Sequence, residues 1–98
     1  MVGPSMQESE EEFTVRPRVD LAVEHIDEDV VVLDKKNGQI HQLNHTASIV
    51  WKGIAAGYSK STIVTNMVDL FDVSEDKADE DVKELFDQFK SLNLLESE

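Results

Sequence analysis

Ninety-eight residues amount to one domain, of a size that buries only about two-thirds of its unfolded surface, and leave no room for a second. Against nine Lys and Arg stand 21 Asp and Glu, a formal charge of -12, which the phosphate backbone repels and which disfavours a DNA or RNA binder. There is no cysteine, so disulfides, thiolate nucleophiles and cysteine-ligated metals are out, and a reducing, cytoplasmic compartment is expected.

No apolar run is long enough to span a bilayer, and the polar, acidic start does not resemble a secretory signal. Residues 1–18 hold both prolines, Pro4 and Pro17, and the run Glu10, Glu11, Glu12, with little apolar content beyond Met6 and Phe13. Such a segment cannot bury enough surface to offset its ordering, and it is expected to be a disordered acidic tail. Met6 offers a second start, which would make Met1 to Ser5 a cloning remnant. The folded domain is expected over 19–95.

Val19, Leu21 and Val23 alternate with polar or small residues, the period of a strand with one buried face. After the acidic turn Asp27, Glu28, Asp29 comes Val30, Val31, Val32, Leu33, a second strand that runs into Asn37-Gly38. That dipeptide best tolerates a two-residue type I′ hairpin, so residues 39–43 should return as a third strand. Asn44 is a good N-cap, and Ala47, Val50, Trp51 and Ile54 share one stripe of a helix over 46–56 that Gly57 can end. Trp51, on that stripe, reads as a core anchor.

Ser59 or Ser61 can cap a second helix with Ile63, Val64, Met67, Leu70 and Phe71 on one face, ending near Asp72. Ser74 caps a third, with Glu75 and Asp76 at the positive end of its dipole and Ala78, Val82, Leu85, Phe86, Phe89 and Leu92 as its stripe; Asn93 is a fitting left-handed stop. The order implies an α+β domain, a three-stranded antiparallel meander followed by three helices that cover one face.

Chemistry-bearing motifs are sparse. His41 and His45 are four apart, but Asn44 separates strand from helix between them, so no metal site is expected. Neither a nucleophile elbow nor a phosphate-cradling glycine loop is present, so catalysis and cofactors are not expected. Between Asp69 and Asp87 nine carboxylates face two lysines, which is either a solvated helix face or a contact for a basic partner. Residues 39–43 carry no Lys, Pro or Gly to guard a sheet edge, so Gln39, Ile40, His41, Gln42 and Leu43 can template an added strand. Periodicity leaves open whether the third helix or the tail covers this edge instead.

Leu43-Asn44-His45-Thr46-Ala47, then Val50-Trp51, Gly57, Ile63-Val64, Phe71-Asp72-Val73, Asp81-Val82, Leu85-Phe86, Phe89 and Leu94-Leu95 together resemble the PqqD-like family, named for pyrroloquinoline quinone (PQQ) biosynthesis. The resemblance implies a fold like a winged helix-turn-helix that has given up DNA. It implies a RiPP recognition element, a non-catalytic peptide chaperone that binds the leader of a ribosomally made precursor by strand addition. Its partner would be a radical SAM maturase or another modifying enzyme, and the protein itself a monomer. Carried over by position, the peptide-pairing strand falls on Gln39, Ile40, His41, Gln42 and Leu43, and the groove-lining helix on Ala78, Asp81, Val82 and Leu85. A winged-helix transcription regulator and a structural subunit of a larger enzyme are the alternatives. The first would need a basic recognition helix, and only Lys35, Lys36, Lys52 and Lys60 form any basic scatter.

Overall fold

The computed structural model describes residues 15–97. Strands β1 (Val15–Pro17), β2 (Ala22–Ile26), β3 (Asp29–Asp34) and β4 (Gln39–Gln42) precede helices α1 (His45–Ala55), α2 (Lys60–Phe71) and α3 (Glu75–Ser91), and β5 (Leu95–Ser97) closes the chain. Antiparallel β2, β3 and β4 form one sheet in that order, while β1 and β5 pair in a second. Three antiparallel strands followed by three helices is the architecture read from the sequence.

The helices form where capping and periodicity place them. Asn44 Oδ1 accepts from the Ala47 N–H at 2.8 Å, and the Ser59 and Ser74 hydroxyls accept from Thr62 and Lys77, each satisfying an orphan donor of a first turn. Gly57, at φ +85°, ends α1 in a Schellman turn: its N–H bonds to the Ile54 carbonyl, and the Tyr58 N–H reaches back to Gly53. Asn93, at φ +62°, does the same for α3, with the Asn93 N–H on Lys90 and the Leu94 N–H on Phe89. Within α1, Gly53 lets α2 approach; a Cβ there would lie 2.8 Å from Ile63 Cγ1.

One core joins the layers. Val30 and Val32 from β3, Ala47, Val50, Trp51 and Ile54 from α1, Ile63, Val64 and Met67 from α2, Ala78, Val82, Phe86 and Phe89 from α3, and Leu43, Leu94 and Leu95 belong to a single buried cluster. No helix among the described residues is long and apolar enough to cross a membrane.

Four expectations change. Residues 15–18, assigned to the tail, are ordered: β1 pairs with β5, Arg16 meets Glu96 at 3.1 Å, and Val15 packs on the core. The remainder of that tail, 1–14, lies outside the described residues. Val19 sits in a turn, 78% exposed, and the strand starts at Ala22; Asp20 and the Arg18 carbonyl, which accepts from the Leu21 N–H, are taken up in that turn.

Asn37-Gly38 is not a two-residue hairpin. The loop spans 35–38 with positive φ at Gly38 but not at Asn37, because the Asn37 backbone N–H and side-chain amide both donate to the carboxylate of Asp34. Leu70, counted on the inner stripe of α2, is 61% exposed: it lies in the last turn of the helix, where Phe71 is the residue that packs against the core.

Candidate functional site

The sheet leaves β4 at an edge, paired with β3 on one side and with no strand among the described residues on the other. Register and one hydrogen bond settle which of its backbone groups are free. The ladder sets Val31 against Gln42, Val32 against His41, Leu33 against Ile40 and Asp34 against Gln39, and the Leu43 N–H donates to the Val30 carbonyl at 2.9 Å. In an antiparallel pair, bonded and non-bonded pairs alternate. Gln39, His41 and Leu43 therefore turn their backbone groups toward β3, whereas Ile40 and Gln42 turn their N–H and C=O outward.

Side chains follow the same alternation. Ile40, 72% exposed, and Gln42 face away from the helices, Ile40 in a cross-strand row with Leu33 and Ala22. His41 turns toward the helix layer, half-buried; its Nε2 is buried and finds no hydrogen-bond partner among the described residues.

Two buried polar groups hold this edge in shape. The Ser48 hydroxyl, fully buried on α1, accepts the Val30 N–H at 2.9 Å and donates to the Leu43 carbonyl at 3.2 Å, so it bridges the last rung between β3 and β4. At the other end the Asp34 carboxylate, 1% exposed, binds Asn37 in the loop and Arg18 at 3.0 Å. Arg18 also donates to the Asn93 carbonyl at 2.9 Å and to Asp20, tying β1, the β3–β4 hairpin and the end of α3 together. Hydrogen bonds from the Asn37 side chain and from Arg18 outweigh desolvation and hold the Asp34 carboxyl down at about 2. Beside the same loop a hollow of about 300 Å³ opens against Leu33, Gln39 and Ile40.

The nine residues read from the sequence divide by burial. Gln39, Ile40 and Gln42 are exposed; His41, Asp81 and Leu85 are half-buried; Leu43, Ala78 and Val82 are core side chains that offer no surface. Leu43, which follows β4, and Ala78 and Val82 of α3 belong to the one buried cluster, and Leu85 packs against it. Asp81 is engaged by Lys77 at 3.1 Å, one turn away, and that bond, with Asp81, Glu80 and Glu84 nearby, raises the Lys77 pKa. Sequence reading missed Ser48 and Asp34. An acid three residues before Asn37 was the signal for the second; the hydroxyl gave none.

The sequence model of the family described as coenzyme PQQ synthesis protein D (PqqD) matches residues 29–95. No curated protein sequence matches the chain. Two solved structures share the fold. "Lasso peptide synthetase B1 complexed with the leader peptide" superposes with a TM-score of 0.77 at 24% identity, over 84% of this chain and 96% of that one. "TbiB1 in Complex with the TbiA(beta) Leader Peptide" gives 0.79 at 22% identity, over 83% and 94%.

Proposed function

This chain belongs to the family of coenzyme PQQ synthesis protein D (PqqD), and on that footing we propose that it is a non-catalytic adaptor, which binds the leader of a ribosomally made precursor peptide and presents the precursor to a modifying enzyme. The leader adds as a strand to β4, over Gln39, Ile40, His41, Gln42 and Leu43, with Asp81 and Leu85 of α3 as the opposite wall. A radical SAM maturase is the enzyme class the family suggests, and the adaptor works as a cytoplasmic monomer. The observation that carries this reading is the free β4 edge, whose outward N–H and C=O groups on Ile40 and Gln42 are ready for a partner strand.

Magnitudes say what else the site supplies. Two residues with two free groups each make up to about four hydrogen bonds of roughly 0.5–1.5 kcal/mol net. Their sum falls short of the ~8 kcal/mol of a micromolar complex even before ordering costs. Side chains must therefore contribute, and the half-buried His41 and Leu85 and the exposed Ile40 are the groups in place to do so.

The test is a titration of the full chain with the synthetic leader of the precursor encoded beside its gene, with backbone amide shifts followed by NMR. Shifts centred on Ile40 and Gln42 and on α3 near Asp81 and Leu85 are expected. Shifts confined to α2 would place the peptide elsewhere and overturn the reading. A parallel titration with duplex DNA at physiological salt should give only non-specific affinity; a sub-micromolar, sequence-dependent complex would favour the regulator instead.

A further inference from the structure

The sheet has a second edge, and β2 is as unguarded as β4. Its residues are Ala22, Val23, Glu24, His25 and Ile26, with no Lys, Pro or Gly among them. Because β3 turns the backbone groups of Val30, Val32 and Asp34 toward β4, those of Val31 and Leu33 go to β2, where they meet Glu24 and Ala22. Val23 and His25 are thus the residues whose N–H and C=O point out from the free side of β2, where no strand among the described residues pairs with them.

The side chains of these same two residues turn toward the helix layer, and there a mainly apolar hollow of about 440 Å³ opens between β2, Pro17 of β1 and the last turns of α1, lined also by Trp51, Ala55 and Lys52, whose ammonium donates to the Glu28 carbonyl at 3.4 Å. That volume lies within the ~300–1,000 Å³ of ligand sites. On the opposite face of β2 stands Glu24, exposed and without an ion pair among the described residues, with Asp27, Glu28 and Asp29 at the turn beyond it.

We propose that β2 is a second strand-addition site, which takes an extended segment of a partner protein carrying a Lys or Arg between two apolar residues. Alternation dictates the pattern. Partner residues beside Val23 and His25 enter the hollow and must be apolar, and the one between them lies across from Glu24 and must be basic. A second copy of this chain does not fit: antiparallel pairing of β2 with β2 centred on the strand sets Glu24 against Glu24, between molecules that each carry a charge of -12. The site is separate from the β4 edge and does not depend on what binds there.

The probe is a short synthetic peptide of alternating valine and lysine, with a valine–glutamate peptide as its counterpart. Each is titrated into the full chain carrying Gln42→Pro, which blunts the β4 edge, and into its His25→Pro, Val23→Pro and Glu24→Lys derivatives, with amide shifts and circular dichroism recorded. Proline at an outward-facing position removes a free donor without breaking the β2–β3 ladder. Shifts on Val23 and His25, at least tenfold preference for the lysine peptide, at least tenfold loss in a folded proline variant, and a reversed preference in Glu24→Lys are expected. Glu24→Lys alters only an exposed side chain and keeps the test decisive if both prolines unfold the domain. Equal binding of the two peptides, or no shift on β2, overturns the proposal. So does sedimentation showing a dimer of the parent chain that His25→Pro dissociates, which would give this edge to a second copy. Leader binding at β4 is read on Ile40 and Gln42, so each site stands or falls on its own signals.

Discussion

Trp51 and Phe89 meet edge to face, their ring centroids 5.3 Å apart and their planes at 90°, and both are 1% exposed. This contact pins α3 across α1, the helix that starts directly after β4. Trp51→Ala should cost about 3–5 kcal/mol, a large share of the roughly 5–15 kcal/mol that holds a small domain together. Chemical denaturation measures it; a loss under about 1 kcal/mol would mean that the ring is not a core element.

Proline scanning of β4 separates ladder donors from free ones. Ile40→Pro and Gln42→Pro remove outward N–H groups and should leave the fold intact while weakening the leader at least tenfold, about 1.4 kcal/mol. His41→Pro removes a donor that β3 uses and should lower stability by denaturation. If His41→Pro is the best tolerated of the three, the assignment of inward and outward groups is reversed.

Asp34 predicts an acid limb in stability. Its carboxyl titrates at about 2 in the folded protein against an ordinary 3.8, so the folded state favours the ionised form. The resulting stability is present in full above the ordinary value and is lost as pH falls through 4 toward 2. Denaturation midpoints of the parent and of Asp34→Asn, measured from pH 5 to about 2, should converge over that window. A gap that stays constant would show that the Arg18 and Asn37 bonds do not discriminate between the two forms.

Ser48→Ala removes the hydroxyl that links Val30 to Leu43. Two buried backbone groups lose their partner, and a cost of about 1–3 kcal/mol is expected, with faster hydrogen exchange at the Val30 amide. A negligible cost would mean that β3 and β4 close on each other and remake the rung directly.

The helices were legible because their caps and stripes are local. Asn44, Ser59, Ser74, Gly57 and Asn93 announce ends, and the inner faces of α1 and α3 follow from spacing alone. β1 was not legible: a strand of three residues makes no periodic pattern, and its partner lies at the other end of the chain. Asn37 misled because its amide serves Asp34 and not a turn of its own. At the candidate site the strand could be read from its lack of guarding residues. Which alternate residues face outward could not, since that depends on the bond between Leu43 and Val30. Ala78 and Val82 were drawn from the same stripe that builds the core, and burial claims them first.

The pairing of Val15 with Ser97 sets the first and last described residues side by side, about 5 Å apart at their Cα atoms. A polypeptide that enters and leaves at one point can be spliced as a unit into a surface loop of another protein, or closed by a short linker and reopened at an exposed turn, with little stretch imposed on its host. The two-stranded β1–β5 clasp thus makes this domain modular: it is a cassette whose connections share one doorway.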